Sequence, residues 1–318
     1  MLRTCKLCGR EADLRLSHIF PRFAVKWLKE TSATGFLRSL TSRKRQQEVK
    51  REYLLCENCE QLLSRDEKLF RETIFIPYHE GKQTVFEYGP WLNRFLVGFH
   101  WRVLVARDPG PYPAWANAVY DETTEHWKQY LIGATGNAGR AEFHIFFADV
   151  IKNSTGPLPD KINLYFARGF DATPTFNEAG AAGVYAKLIK IMSFAFLTPR
   201  DPEKEKWVGT QVNDKGVLRV PQRIETVSVG GFLEERARLV ESASSTLTPR
   251  QFRKLLERAE TEPEVVFGSD SYRTHLADLE LRRKMLEAGF AAVMSGRDRN
   301  KPCPCGSGIK FKKCCGQA

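Results

Sequence analysis

The placement of the eight cysteines constrains this 318-residue chain more than any other feature of its sequence. They occur in tight groups near the two ends, and the stretch between Cys59 and Cys303 contains none. A disulfide framework would distribute its cysteines through the fold, and the first residues, MLRTCKLCGR, lack the apolar core of a secretory signal peptide. The pattern therefore predicts two thiolate metal sites, with the ligand sets Cys5, Cys8, Cys56, Cys59 and Cys303, Cys305, Cys314, Cys315.

The first predicted site consists of two Cys-x-x-Cys knuckles, CKLC and CENC, which 47 residues separate. Each knuckle places two thiolates on one tight turn, and two such turns form a closed tetrahedral site for structural zinc. Because these ligands are not arranged in the unfolded chain, we expect zinc binding to contribute directly to the folding of an N-terminal domain. The alternative, four reduced cysteines without a metal, would require both spacings to be coincidental.

Between the knuckles lies the segment LRLSHIFPRF, and the second knuckle continues as LLCENCEQLLSRDE. The order Cys-x-x-Cys, SHIFP and LLCENC, over about residues 5 to 70, resembles HNH-type endonucleases with the treble-clef (ββα-metal) arrangement. That resemblance implies that His18 activates a water molecule for attack on a phosphodiester beside a divalent ion. Two positions depart from the family's pattern, since Ser17 stands where aspartate is frequent and Glu60 stands where histidine is typical.

The residues that follow the second knuckle suggest how this site is completed. A carboxylate is a good ligand for Mg²⁺ or Mn²⁺, so Glu60 can replace the family's histidine. On a helix, Glu60, Ser64, Glu67 and Arg71 fall within a wedge of about 60°. We therefore expect His18 as general base, Glu60 as a ligand of a catalytic Mg²⁺ or Mn²⁺ ion, and Glu67 as a second ligand or orienting group. Two plainer interpretations stay open: a structural histidine beside the knuckle, and a solvated helix face.

The C-terminal stretch KPCPCGSGIKFKKCCG contains a Cys-x-Cys pair, eight further residues and a vicinal Cys-Cys pair. It closely resembles the SEC-C motif, best known from the C-terminal tail of the preprotein-translocase motor ATPase, and the resemblance implies that its four cysteines bind one zinc ion. Gly306 and Gly308 permit the tight reversal between the two half-sites. A disulfide between Cys314 and Cys315 is the poorer alternative because it demands a strained ring.

The charge of the chain suggests its partners. A net charge of +11 and an isoelectric point near 9.3 suit nucleic acid or an anionic membrane surface, although basic proteins without a nucleic-acid role are common. Beside a phosphodiester site, the basic segment between the knuckles would neutralise phosphates without reading sequence; the alternative is a solubilising loop. The predicted nucleic-acid contacts, with DNA favoured over RNA, are Arg43, Lys44, Arg45, Lys50 and Arg51.

Three further basic residues lie in the C-terminal motif, namely Lys310, Lys312 and Lys313. In the translocase the motif is a docking element, and the lysines suit RNA, a ribosomal protein or another acidic partner. The plainer interpretation is a zinc cap that stabilises the tail. No run of about eighteen uncharged apolar residues occurs, so we expect no membrane span and a cytoplasmic location.

The sequence pattern divides the chain into four parts: a treble-clef zinc domain (1–75), a mixed α/β domain of unknown role (76–230), a helical segment (231–297) and the SEC-C motif (298–318). In the second part, GPWLNRFLVGFHWRVLVAR is predicted to be a buried helix beginning at Pro90. AEFHIFFADV and KINLYFARGF are predicted to be strands, and the length of AGVYAKLIKIMSFAFL favours a helix over a strand. KWVGTQVNDKGVLRVPQRI is predicted to be two strands joined at NDKG.

The third part is predicted to contain three helices, GFLEERARLVESA, TPRQFRKLLERAE and SDSYRTHLADLELRRKMLEAGFAAVMS. The second of these has Thr248 as cap and Pro249 at its first position. The third carries one apolar face, formed by Leu276, Leu279, Leu286, Phe290 and Val293.

The fold predicted by these patterns is α+β, with zinc-binding units at both ends. The predicted function is that of an HNH-like metal-dependent endonuclease acting on nucleic acid. Such an activity would suit defence against foreign DNA. The alternative is a non-catalytic zinc adaptor that binds nucleic acid, the ribosome or protein partners. Geometry distinguishes the two: convergence of Glu60 and Glu67 on His18 favours catalysis, and divergence favours the adaptor.

Overall fold

The computed structural model describes residues 2–35, 37–38, 45–46, 50–108, 110–154, 158–199, 206–225, 227–244, 249–294 and 299–317. Two of the predicted nucleic-acid contacts, Arg43 and Lys44, lie outside these residues, as does the predicted helix cap Thr248. The chain combines helices with small antiparallel sheets, which confirms a mixed α+β fold. No helix within the described ranges is long and apolar enough to span a bilayer.

The N-terminal part is a knuckle hairpin followed by a ββα unit. Its elements are β1 (Arg3–Thr4), β2 (Glu11–Ala12), β3 (Leu14–His18), α1 (Arg22–Glu30), β4 (Leu37–Arg38), β5 (Arg45–Gln46), β6 (Arg51–Cys56) and α2 (Glu57–Phe70). β1 pairs with β2 around the first knuckle, and β3 pairs antiparallel with β6, with His18 opposite Arg51. Helix α2 begins directly after Cys56, so strand, knuckle and helix follow one another without a break.

A buried helix follows this unit and forms the centre of the fold. The chain passes through a π-helical turn (Arg71–Phe75), α3 (Ile76–His79) and β7 (Val85–Tyr88) before helix α4 (Pro90–Val105). Eleven of the 16 residues of α4 are buried. It packs against α2 on one side and against α5 (Ala114–Leu131) on another. Gly98 of α4 faces Leu63 of α2, and a Cβ atom there would lie at van der Waals distance, 3.4 Å, from Leu63 Cδ2. The predicted buried helix beginning at Pro90 is confirmed.

Beside α4 lies a five-stranded antiparallel sheet in the order β13-β8-β11-β10-β9. Its strands are β8 (Glu142–Phe147), β9 (Phe170–Phe176), β10 (Ala182–Leu188), β11 (Ile191–Phe196) and β13 (Gln211–Val212). The strand predicted in AEFHIFFADV is β8, and that prediction is confirmed. The sheet is buried on both faces along β10 and β11.

Two predictions in this region are wrong. The segment KINLYFARGF is helix α6 (Ile162–Arg168) and enters a strand at Phe170, because the carboxylate of Asp278 accepts the N–H groups at the start of the helix. The segment AGVYAKLIKIMSFAFL is the hairpin β10–β11, which turns at Ile189 with a φ of 63°. Burial of both faces makes the run mostly apolar, and even Lys187 within it is fully buried, so the run lacks the alternation that identifies a strand.

The residues on either side of NDKG are strands, as predicted, but they pair with distant strands and not with each other. Strand β13 joins the sheet next to β8, whereas β14 (Gly216–Arg219) pairs with β7. The flanking strands β12 (Lys206–Val208) and β15 (Arg223–Glu225) pair with one another. Contacts with strands far away in the sequence, and not the local turn, therefore determine how these strands pair.

The third part is helical, as predicted. Its helices are α7 (Val227–Ser244), α8 (Pro249–Thr261), α9 (Pro263–Phe267) and α10 (Asp270–Met294). On α10 the first part of the predicted apolar face is not buried, because Leu276 and Leu279 are exposed while Asp278 and Leu281 are buried. Leu286 is half-buried, and the side chains of Phe290 and Val293 lie outside the described residues. Asp278 anchors α10 to α6, so a polar contact determines which side of this helix faces inward.

The apolar side chains form two large clusters and one small one. The first combines the knuckle residue Cys5 and the α2 residue Phe70 with Trp101 of α4 and strands of the sheet. The second lies between the other sheet face and the helices α6, α7 and α10. The third contains Cys303 and Phe311. Residues on both sides of the 75/76 boundary share the first cluster, and the four-part division stays a prediction.

Candidate metal centres and the His18 site

The cysteines of the two N-terminal knuckles come together at one point. The Sγ atoms of Cys5, Cys8, Cys56 and Cys59 all lie within 4.8 Å of one another, and those of Cys8 and Cys56 are 3.8 Å apart. A tetrahedral zinc ion with bonds of about 2.3 Å separates its sulfur ligands by about 3.8 Å. None of the eight cysteines forms a disulfide. The cluster therefore fits a zinc ion held by four thiolates.

The local backbone positions the four sulfur atoms and influences the ionisation of their thiols. Gly9, with a φ of 74°, closes the first knuckle by donating its N–H to the Cys5 carbonyl at 2.9 Å. Burial raises the pKa of the Cys5 thiol, but hydrogen bonds from the N–H groups of Cys8, Cys56 and Leu7 outweigh that effect and lower the pKa to about 7. Burial raises the pKa of the Cys59 thiol. A bound cation would offset the cost of ionising such buried thiols.

The C-terminal cysteines form the second cluster. The Sγ atom of Cys314 lies 3.6 Å from that of Cys305 and 3.9 Å from that of Cys315, and all four sulfurs are within 4.8 Å of one another. Gly306 and Gly308 have φ values of 83° and 72°, as their predicted role in the chain reversal requires. This cluster also fits a zinc ion with four thiolate ligands.

One aromatic side chain packs against the second cysteine cluster. Phe311 is 3% exposed and packs against Cys303. Gly316 lies so close to this ring that a Cβ atom there would be 2.7 Å from Phe311 Cε1. Lys310, Lys312 and Lys313, at the short 3-10 turn Phe311–Lys313, are exposed. The motif therefore presents a basic surface outside a small buried centre.

His18 ends strand β3 and is half-buried. Burial lowers the pKa of His18, the positive charges of Arg51 and Arg22 lower it further, and the carboxylates of Glu60 and Glu67 oppose the shift. The imidazole is consequently neutral at pH 7 and can accept a proton. The two predicted carboxylates therefore lie within electrostatic range of His18.

The same carboxylates converge on a residue that the sequence interpretation missed. Arg102 of α4 donates from Nη1 to Glu67 Oε1 at 2.5 Å, and its Nη2 lies 3.8 Å from Glu60 Oε2. The Arg102 side chain is only 4% exposed. A sequence signal did exist, because an arginine inside the apolar run LVGFHWRVLV implies a buried charge that needs a partner.

Three other residues discussed with this site have different surroundings. Ser17 is fully buried and donates to the Arg15 carbonyl at 3.4 Å. Ser64 and Arg71 are exposed, so the predicted wedge on α2 is divided between α4 and solvent. Among the described residues, the two cysteine clusters are the groups of three or more side chains placed to hold a metal ion. His18, Glu60 and Glu67 do not form a further group of this kind.

The predicted nucleic-acid contacts near strands β3 and β6 differ in their surroundings. Lys50 donates to the Ala106 carbonyl at 2.6 Å and lies 3.3 Å from Asp108, so its ammonium is engaged within the protein. Arg51 is exposed opposite His18. The backbone of Arg45 lies in β5, and its side chain is outside the described part of the chain.

Comparison with known proteins identifies the C-terminal unit. The family model of the SEC-C motif matches residues 299–317, which confirms the predicted motif at the second cysteine cluster. No solved structure matches the chain. The HNH relationship of the N-terminal part is therefore still a resemblance of sequence motifs.

Proposed function

We propose that this protein is an HNH-like, metal-dependent endonuclease that acts on DNA. The observation that carries the proposal is the electrostatic setting of His18 on the ββα unit. This neutral imidazole has two arginines near it, and the carboxylates of Glu60 and Glu67 lie on the adjoining helix. A neutral histidine beside cations that attract a phosphate is the arrangement that general-base attack by water needs.

In this proposal each charged group has one task. His18 accepts a proton from the attacking water, and Arg22 and Arg51 bind the phosphate. Glu60 would hold a Mg²⁺ or Mn²⁺ ion, which would stabilise negative charge on the phosphate and on the leaving oxygen. One carboxylate is enough for this task, since Mg²⁺ commonly binds one or two carboxylates and keeps several waters. The 3.8 Å separation from Arg102 leaves Glu60 without a short hydrogen bond from that residue.

Glu67 has a different task because Arg102 engages it directly. The 2.5 Å hydrogen bond fixes the Glu67 carboxylate, which makes an orienting group a better assignment than a second metal ligand. Arg102 Nε is buried and has no hydrogen-bond partner among the described residues. A buried donor without a partner costs free energy, and an orienting role for Arg102 is one explanation for that cost.

Cleavage assays with matched variants test the proposal. Purified protein is incubated with single-stranded and duplex DNA, and with RNA, in Mg²⁺ or Mn²⁺. We expect metal-dependent cleavage of DNA. His18→Ala should lower the cleavage rate by about 10²- to 10⁴-fold, and Glu60→Gln should lower it as well. Ser64→Ala is the control, since this exposed hydroxyl on the same helix bonds only to the Gln61 carbonyl among the described residues. Every variant must retain two zinc ions per chain.

The zinc adaptor is the second candidate, and one observation favours it. Arg102 already neutralises part of the carboxylate charge that would attract a catalytic ion. If no metal supports cleavage while zinc content and salt-sensitive DNA binding are intact, the adaptor is the correct function. If cleavage occurs but survives His18→Ala, the assignment of the general base is wrong.

A further inference from the structure

A cavity lies beside the antiparallel strands β3 and β6, next to the first zinc knuckle. We call this strand pair the β3–β6 hairpin, although α1, β4 and β5 lie between its strands in the sequence. It measures about 200 Å³ and is lined by Arg3, Asp13, Leu14 and Tyr53. These residues come from β1, from the link into β3, from β3 itself and from β6. The proposed roles of His18 and the cysteines leave this cavity without a task.

The cavity is aligned with His18 along the hairpin. Tyr53 lies opposite Leu16 in the ladder, and Arg51 lies opposite His18. Side chains two residues apart on a strand point to the same face, and opposite residues share that face. Tyr53 and Leu16 therefore lie about 7 Å along the hairpin from Arg51 and His18. That distance is roughly the length of one extended nucleotide.

The side chains of the cavity have the chemistry that recognises a nucleobase. Tyr53 is 53% exposed, and the guanidinium of Arg3 lies 5.1 Å from the centre of its ring. The Asp13 carboxylate is exposed and makes no hydrogen bond or ion pair within the described residues. Aromatic rings and guanidinium planes stack on unpaired bases, and a carboxylate accepts hydrogen bonds from base amino groups.

We propose that this cavity binds one unpaired nucleobase next to the phosphodiester at His18, so that the substrate is single-stranded or locally unpaired DNA. Tyr53 and Arg3 supply the stacking surface, and Asp13 accepts a hydrogen bond from an exocyclic amino group. A base inside a duplex cannot reach such a surface because its two faces are already stacked. The position of the phosphate next to this cavity rests on the proposed nuclease function. The binding of a base rests only on the side chains of the β3–β6 hairpin.

The test measures binding in a background that cannot cleave. Full-length His18→Ala protein is titrated into a fluorescein-labelled single-stranded DNA 12-mer, and anisotropy gives the Kd. We expect Tyr53→Ala to weaken binding by about 5- to 100-fold, the usual effect of losing one stacked base. Tyr53→Phe keeps the ring, so it should bind as the parent does. Asp13→Asn should alter the preference among homopolymers of different bases.

Trp115→Ala is the matched control, because Trp115 is an exposed aromatic residue on the separate helix α5. Tyr53→Ala is expected to fold, since the ring is more than half exposed, and zinc content verifies this. The matching DNA duplex and a single-stranded RNA of the same sequence form the other arms.

Three outcomes would overturn the inference: equal binding by Tyr53→Ala and Trp115→Ala, duplex binding as tight as single-strand binding, or no binding of single-stranded DNA at all. Failure of the nuclease proposal is a separate result. Tyr53-dependent binding by a parent protein that never cleaves DNA would reject the nuclease and retain the base site. Cleavage of single-stranded DNA at the parental rate and KM by Tyr53→Ala would reject the base site and retain the nuclease.

Discussion

Arg102 carries a positive charge into the centre of the fold, where α4 meets α2. Its guanidinium contacts the Glu67 carboxylate directly and lies near that of Glu60. Each of these groups has lost most of its contact with water, so each depends on the others for compensation. The arrangement also connects α4 to the residues proposed to act with His18.

Replacing Arg102 tests this dependence. Arg102→Met leaves the partly buried Glu67 carboxylate without its partner, and we expect the free energy of unfolding to fall by up to about 3–5 kcal/mol, the loss typical of a fully buried pair. Urea unfolding of the zinc-loaded protein measures the loss. A further change of Glu67→Gln in the Arg102→Met protein should recover part of it, because the uncompensated charge is then removed.

A second ion pair between the same helices provides the control. Arg94 and Asp66 also join α4 to α2, at 3.2 Å, but the side chain of Arg94 is 28% exposed compared with 4% for Arg102. Arg94→Met should cost less stability than Arg102→Met, because it leaves one carboxylate, Asp66, without its arginine, whereas Arg102→Met leaves two. Equal losses in the two variants would contradict the double role that we assign to Arg102.

At the scale of elements, a single carboxylate joins α10 to α6. Asp278 accepts the N–H of Asn163 at 2.8 Å and that of Leu164 at 3.1 Å, at the start of α6. Burial raises the pKa of Asp278 to about 6 from 3.8, although those two N–H groups oppose the shift. The folded protein therefore binds this proton more tightly than the unfolded chain does. The stability that Asp278 contributes is present below about pH 4 and is lost as the pH rises through 6.

The pH dependence of unfolding checks this prediction. Between pH 4.5 and 7.5 the wild-type protein should lose about 2 kcal/mol of stability relative to Asp278→Asn, which cannot ionise there. The difference between the two proteins cancels contributions from the zinc ligands. Glu280→Gln, a change of an exposed carboxylate on the same helix, should not reproduce this trend. Parallel pH profiles for wild type and Asp278→Asn would contradict the predicted pKa.

At the scale of the whole molecule, the two zinc units depend on the fold to different degrees. The N-terminal cysteines belong to the largest apolar cluster, which continues into α4 and the sheet. The C-terminal unit has its own small cluster and approaches α10 at Pro304 and Gly289. Loss of zinc from the first site should therefore destabilise the rest of the molecule. Loss of zinc from the second site should have a much smaller effect.

Two variants separate these effects. Cys59→Ser should lower the zinc content from two ions to one per chain and abolish stable folding of the N-terminal part, because structural zinc contributes about 10–16 kcal/mol, as much as a whole domain's stability. Deletion of residues 299–318 should also leave one zinc ion but change the midpoint of thermal unfolding by only a few degrees. Elemental analysis and thermal unfolding measure both quantities. A large destabilisation by the deletion would show that the C-terminal unit is integral to the fold.

Some features of this protein follow from local sequence alone. Each half of a zinc site has its ligands within three residues of one another, so spacing predicts both cysteine clusters and, with Gly306 and Gly308, the turn that forms the second. Four helices, α4, α7, α8 and α10, were also predictable, because a long apolar or amphipathic run needs no distant partner to be recognised. In α4 and α8 a proline also marks the start of the helix.

Other features depend on contacts between residues far apart in the chain, and only the tertiary structure decided them. The segment from Ile162 forms a helix because Asp278 satisfies its first N–H groups. Strands β13 and β14 pair with separate distant strands because burial outweighs the turn between them. The pairing of Arg102 with Glu67 spans 35 residues, and periodicity contains no information about which buried charges will meet. Local pattern determines where ligands and helices lie, and packing determines which charges and strands become partners.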